Sequence, residues 1–84
     1  MARVFWTAEA RDRLDAIVAY IAQDSPQNAL KVENGIIQAS RRMETLPYGG
    51  GIAEELKEYG VREIYYGAYR ILYVIKDGAC YEFA

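Results

Sequence analysis

The chain is expected to fold as an α+β domain in the order β-α-α-β-β-β. An N-terminal strand and a helical hairpin pack on one face of a small, mainly antiparallel sheet. Three observations lead there. Residues 61–75, VREIYYGAYRILYVI, hold two β-rich runs around Gly67-Ala68, the pattern of a tight hairpin. Residues 8–46 carry helical apolar spacing, interrupted once at Ser25-Pro26. Asp77-Gly78 is a turn signal, and the strand-like run 79–83 follows it.

Residues 3–6 form a short first strand. Thr7 is an N-cap, and Glu9 in the first turn suits the positive helix end. Ala10, Leu14, Ile17, Val18 and Ile21 then make one apolar stripe. Glu9 and Arg13 stand as an i,i+4 pair worth about 0.3 kcal/mol. Ser25-Pro26 ends this helix and caps the next, because the residue before proline avoids the α region and proline suits the first helical position. The second helix is expected to reach about Leu46, with Ala29, Val32, Ile36, Met43 and Leu46 on one face. Gly35 in its interior costs about 1 kcal/mol unless it allows close packing. Pro47 and Gly49, Gly50 and Gly51 give a loop, and Glu54, Glu55, Lys57 and Glu58 a polar lead-in to the hairpin.

With Gly67 and Ala68 as loop residues, Tyr66 opposes Tyr69, Tyr65 opposes Arg70 and Arg62 opposes Tyr73. The run 69–75 is apolar or aromatic on both faces except at Arg70, so it needs cover on both sides. The helices suffice for one side. The other side is expected to receive a partner protein.

Whole-chain numbers bound the function. Eighty-four residues make one domain, 1–84, with 52% apolar and 13% aromatic content. Eight tyrosines against two phenylalanines and one tryptophan suit a half-wet, protein-binding surface. A net charge of −2 argues against general nucleic-acid binding. The single cysteine, Cys80, excludes an intrachain disulfide and points to a reducing cytoplasm. No apolar run approaches a membrane span, and no secretion signal opens the chain. The absence of histidine removes the commonest general base and metal ligand, and no cofactor or metal is expected.

The ordered set of Trp6-Thr7, Ala10 and Leu14, the run 17–22, Asp24, Ser25-Pro26, Ala29, Leu46-Pro47, VREI at 61–64 and YRILY at 69–73 resembles the RelE/ParE superfamily of bacterial toxins, on the ParE-like side. The match covers nearly the whole chain, and its strength lies in the order of the pieces. The resemblance implies a toxin of a type II toxin–antitoxin pair, held inactive by a ParD-like antitoxin in a hetero-oligomer. ParE-like members act on DNA gyrase. RelE-like members cut messenger RNA in the ribosome with basic residues and an acid–base partner near the C-terminus. Relatives usually continue into a short basic tail, whereas this sequence stops at Ala84, which weighs most against the enzyme reading.

On this basis Arg62, Arg70 and Tyr69 are the expected target-binding residues. Tyr65, Leu72, Tyr73, Val74, Ile17 and Met43 are the expected antitoxin contacts. Either arginine could instead serve only the sheet, pairing with Glu63 or Glu82. A ribonuclease needs an acid, a base and charge stabilisation at the phosphate. Arg62, Arg70 and Lys57 could stabilise charge, but Tyr65, Tyr66 and Tyr69 are weak acids with ordinary pKa near 10. The glutamates around Lys57 would repel phosphate. No catalytic residue is assigned, and the enzyme reading remains the alternative, beside a decayed relative that only binds antitoxin. Cys80 is read as a buried thiol, Trp6 as a core anchor, and Arg41-Arg42 as complements to a helix C-terminus.

Overall fold

Short polar side chains start both helices. In the computed structural model, which describes residues 1–84, strand β1 (Arg3–Trp6) leads into helix α1 (Ala8–Ala22). The Thr7 hydroxyl accepts the Ala10 N–H at 3.2 Å. Helix α2 (Pro26–Arg41) starts at Ser25, whose hydroxyl accepts the Asn28 N–H at 3.2 Å, with Pro26 in the first turn. A 3-10 turn, Arg42–Glu44, follows. Next come β2 (Gly51–Ile52), a 3-10 segment Glu54–Tyr59, β3 (Arg62–Tyr66), β4 (Tyr69–Lys76) and β5 (Ala79–Glu82).

The second helix is one turn shorter than its spacing suggests. The Arg42 carbonyl accepts from the Thr45 and Leu46 N–H groups and from the Thr45 hydroxyl. Leu46 also precedes Pro47, which disfavours a further helical turn. Met43 still continues the buried stripe of Ile36, Ala39 and Ser40, whereas Leu46 is left exposed. The loop before the hairpin is also more ordered than expected, since it contains β2 and the second 3-10 segment.

The sheet has five strands in the order β1-β5-β4-β3-β2. The hairpin register is the expected one, with Tyr66 opposite Tyr69, Tyr65 opposite Arg70 and Arg62 opposite Tyr73. Asp77 and Gly78 both take positive φ in the second turn, at 53° and 78°. Strand β1 lies parallel to β5 at one edge, so the sheet is mixed, and β2 closes the other edge with two residues. Both helices pack on one face. Leu14, Ile36, Ala39 and Ile71 form the main core, with Trp6, Ile64, Tyr66 and Tyr69 against it. Met43, Tyr73 and Cys80 form a second centre with Val4 and Ile75.

Two glycines are set by packing. A Cβ on Gly35 would sit 2.1 Å from the Tyr66 ring, so the helix glycine lets that ring lie on its backbone. A Cβ on Gly50 would meet the Tyr73 hydroxyl at 2.5 Å and the Glu63 carbonyl at 2.7 Å. The carbonyl belongs to a paired strand and cannot swing aside. Gly50→Ala is therefore expected to destabilise the protein by about 1–3 kcal/mol. Urea unfolding would show it, and a variant as stable as the parent would mean that the loop carries no such constraint.

Candidate functional site

Alternation along the strands divides the functional residues between two faces. Ile64, Tyr66, Tyr69, Ile71, Tyr73 and Ile75 pack towards the helices. The intervening Glu63, Tyr65, Arg70, Leu72 and Val74 therefore point to the helix-free face. The register adds Tyr81 opposite Val74, and Phe5 beside Tyr81. Phe5 and Tyr81 stack with centroids 5.3 Å apart, and the Arg3 guanidinium lies 5.1 Å from the Phe5 ring centre. Leu72, Val74 and Tyr81 are half-buried, while Phe5 and Tyr65 are exposed.

Arg70 sits at one end of this face. Its guanidinium donates to Glu55 at 2.7 Å and to Glu63 at 3.1 Å. The Glu55 carboxyl is held below the usual carboxylate range, first by its own backbone N–H and then by Arg70. A half-exposed arginine between two carboxylates is orientated without being hidden. Of the two carboxylates suggested for this role by sequence, Glu63 takes part and Glu82 does not.

Arg62 lies on the opposite face, opposite Tyr73. It donates to the Gly50 carbonyl at 2.7 Å, and its guanidinium lies 5.1 Å from the centre of the Tyr48 ring. The Tyr73 hydroxyl donates to the Pro47 carbonyl at 2.9 Å and accepts the Gly50 N–H at 3.2 Å. Together these bonds pin the 47–50 loop. The structure thus separates Arg62 from Arg70 instead of bringing them together. Tyr69 points to the helix side yet meets Arg70 at a cleft of about 50 Å³, which they line with Trp6, Arg13, Leu14 and Ile17.

Two expected contacts are corrected. Tyr73 is 0% exposed and Met43 1% exposed, so neither is available to a partner. Tyr73 falls on the helix side because it is two and four residues from Ile71 and Tyr69. Met43 lies seven residues after Ile36 and four after Ala39, so it continues the buried stripe of α2. Ile17 is half-buried at the cleft, and Leu72, Val74 and Tyr65 remain on the helix-free face.

Sequence reasoning missed Glu82. It is 0% exposed, and its Oε1 accepts the Ser40 hydroxyl at 3.0 Å while Oε2 has no partner. Burial pushes its pKa up to about 7, against a smaller lowering effect from Ser40. Its position two residues after buried Cys80 was the only sequence signal, since both must face the same side of β5. Cys80 is itself buried, with a pKa raised by desolvation and then by Glu82. Glu82 is the one carboxyl with a pKa suited to acid–base work, but it touches no solvent. No group of three or more His, Cys, Asp or Glu side chains is placed to hold a metal ion.

The folded carboxyl binds its proton more tightly than the unfolded one. Its neutral form therefore gives full stability below the ordinary pKa of 4.5, and that stability is lost as pH rises through about 7. The change amounts to at most about 3 kcal/mol. Glu82→Gln should flatten this decline, which melting curves between pH 4 and 9 would reveal. An equal slope in both proteins would mean that Glu82 ionises as freely when folded as when unfolded.

The family model described as ParE toxin of type II toxin-antitoxin system, parDE, matches residues 4–82. Among solved structures, one described as the chromosomal ParDE TA system from P. aeruginosa is similar, with a TM-score of 0.79 and 24% identity over 98% of this chain and 90% of that one. At that identity the likeness shows a shared fold. No curated protein matches.

Proposed function

Because this chain belongs to the ParE toxin family of type II toxin–antitoxin systems, we propose that it acts as the toxin by binding DNA gyrase, without chemistry of its own, and that a ParD-like antitoxin neutralises it. The observation that carries this reading, beside the family, is the helix-free face. It presents Phe5, Tyr65, Leu72, Val74 and Tyr81 with Arg70 at one end. Aromatic side chains beside an orientated arginine are the composition of a protein-binding hot spot. The similar P. aeruginosa structure is of a ParDE system, which supports an antitoxin as the second polypeptide.

The roles divide along the surface. Arg70 and Tyr69 belong to target binding, with Tyr65, Leu72 and Val74 covered by antitoxin. Ile17 extends the antitoxin surface to the cleft under α1. Arg62 holds the 47–50 loop in shape, and any effect on the target is indirect. A binding mode is also favoured over RNA cleavage by the acid–base inventory, since the one carboxyl with a raised pKa is buried. No helix is long and apolar enough to cross a membrane. Gyrase and an antitoxin are both cytoplasmic partners, and the toxin is assigned there with them.

Purified gyrase supplies the test. Micromolar toxin should inhibit supercoiling and trap cleaved DNA, and equimolar antitoxin should reverse both. Inert gyrase in the presence of folded toxin would sink the target assignment. Message cuts inside ribosome-bound codons after induction would replace it with the RNA-cutting alternative.

Arg70→Ala separates binding from folding. Its pairs with Glu55 and Glu63 lie near the surface, where solvent screening leaves them little share in stability. The melting temperature should fall by less than about 8 °C, while growth arrest on induction is lost. A collapse in melting temperature would make the arginine structural.

A further inference from the structure

Strand β1 leaves one side of its backbone open. The Thr7 N–H donates to the Glu82 carbonyl at 2.9 Å, and Trp6 is registered with Glu82. In a parallel ladder this phase turns the N–H and C=O groups of Arg3, Phe5 and Thr7 towards β5. Those of Val4 and Trp6 then point away from the sheet. Ala2 is tied to the Glu44 carbonyl at 2.7 Å, but no hydrogen bond occupies the outward groups of Val4 or Trp6. Proteins usually blunt such an edge with a proline, a bulge, an inward charge or a covering segment. Here the strand is short and the 3-10 turn holds only its start at Ala2, so the outward groups of Val4 and Trp6 stay open.

A groove of about 240 Å³ runs beside it, with Val4, Trp6 and Ile37 as its apolar lining and Arg11, Arg41 and Glu44 as its charges. Arg41 has no carboxylate partner, and Arg11 is held only by exposed Asp15 at 3.4 Å. Arg3 flanks the same edge from the helix-free side and has no carboxylate partner either. On a protein of net charge −2, three arginines against Glu44 and Asp15 leave this edge locally cationic.

We infer that the β1 edge is a strand-addition site for an extended acidic segment of a partner polypeptide. The segment pairs its backbone with Val4 and Trp6, places an apolar side chain over Val4, Trp6 and Ile37, and sets a carboxylate against Arg41 and Arg11. The chemistry selects against a second copy of this chain, because pairing two β1 strands antiparallel would bring the same arginines together. The inference rests on the proposed function only in taking the antitoxin as the source of the segment.

The test uses the full chain with its full-length cognate antitoxin. Amide exchange at Val4 and Trp6 should slow at least about tenfold on complex formation. Arg41→Glu should weaken binding about tenfold or more at low salt, while the melting temperature of the free toxin falls by no more than about 8 °C, the effect of reversing one charge at the α2 C-terminus. Val4→Pro removes an outward N–H that β5 does not use, and should weaken binding similarly. A tight complex with unaltered exchange at both amides and normal affinity for Arg41→Glu would overturn the edge assignment while leaving the toxin–antitoxin pairing intact. Concentration-dependent protection of Val4 and Trp6 in the toxin alone would overturn it in favour of self-pairing. No complex at all would overturn the pairing and the edge assignment together.

Discussion

The register of the β3–β4 hairpin is the constraint on which the other features depend. A two-residue connection at Gly67-Ala68 leaves one pairing, with Tyr66 against Tyr69. Side chains alternate with period two, so this single choice sends Ile64, Tyr66, Tyr69, Ile71 and Tyr73 to the helices and Tyr65, Arg70, Leu72 and Val74 away from them. A slip of one residue would bury Arg70 and expose Ile71 and Tyr73, reversing every assignment at once. Gly35 reinforces the choice from the other layer, because only a bare helix backbone accepts the Tyr66 ring at that height. The hairpin and the second helix therefore specify each other.

The core is partly polar, and its polar groups fasten segments that would otherwise be loosely held. The Tyr73 hydroxyl bridges Pro47 and Gly50, and Arg62 adds a bond to Gly50 from the neighbouring strand. The loop between helix and sheet is thereby fixed without regular structure of its own. Desolvation also raises the Tyr73 pKa, so the phenol stays neutral and keeps its proton for Pro47. Glu82 does something different. It fastens β5 to α2 through Ser40 but leaves an oxygen unsatisfied. A buried acceptor without a partner is costly, and protonation reduces that cost by removing the buried charge. The raised pKa follows from the packing and needs no catalytic explanation.

Much of this was legible in sequence because the signals were local. Thr7, Ser25-Pro26, Asp77-Gly78 and the Gly67-Ala68 step act through bonds to residues a few positions away. The opposite placement of Arg62 and Arg70 was implied by the same register, since Arg62 lies three residues from Tyr65, the partner of Arg70, and an odd offset changes face. What escaped depends on contacts distant in the chain. Nothing near residues 3–6 announces that they lie parallel to β5. Tyr73 and Leu72 are both apolar neighbours in a strand, and alternation separates them without telling which side the helices will choose. Met43 follows a helical pattern that serves core and partner surface equally well, Leu46 leaves that pattern where the helix end tightens, and Glu82 looks like any polar residue near a chain end until Ser40 is found above it.

These placements give the toxin surface two unlike parts. The helix-free face is broad, aromatic and anchored by an arginine whose charge is already shared with Glu55 and Glu63. Burying that face in a complex need not strand Arg70, because its compensating carboxylates travel with it. The β1 edge is narrow, carries open backbone groups and has arginines with weak or absent internal partners. Its backbone bonds are indifferent to side-chain identity, whereas its charges are not. A partner that used both parts would gain area from the face and register from the edge. Complementary charge at the edge would also speed its first encounter with the toxin. Discrimination between the antitoxin and gyrase would then rest less on total buried area than on whether the incoming chain can extend along Val4 and Trp6. A folded enzyme has few exposed strands to offer there, and a flexible antitoxin segment has many ways to provide one.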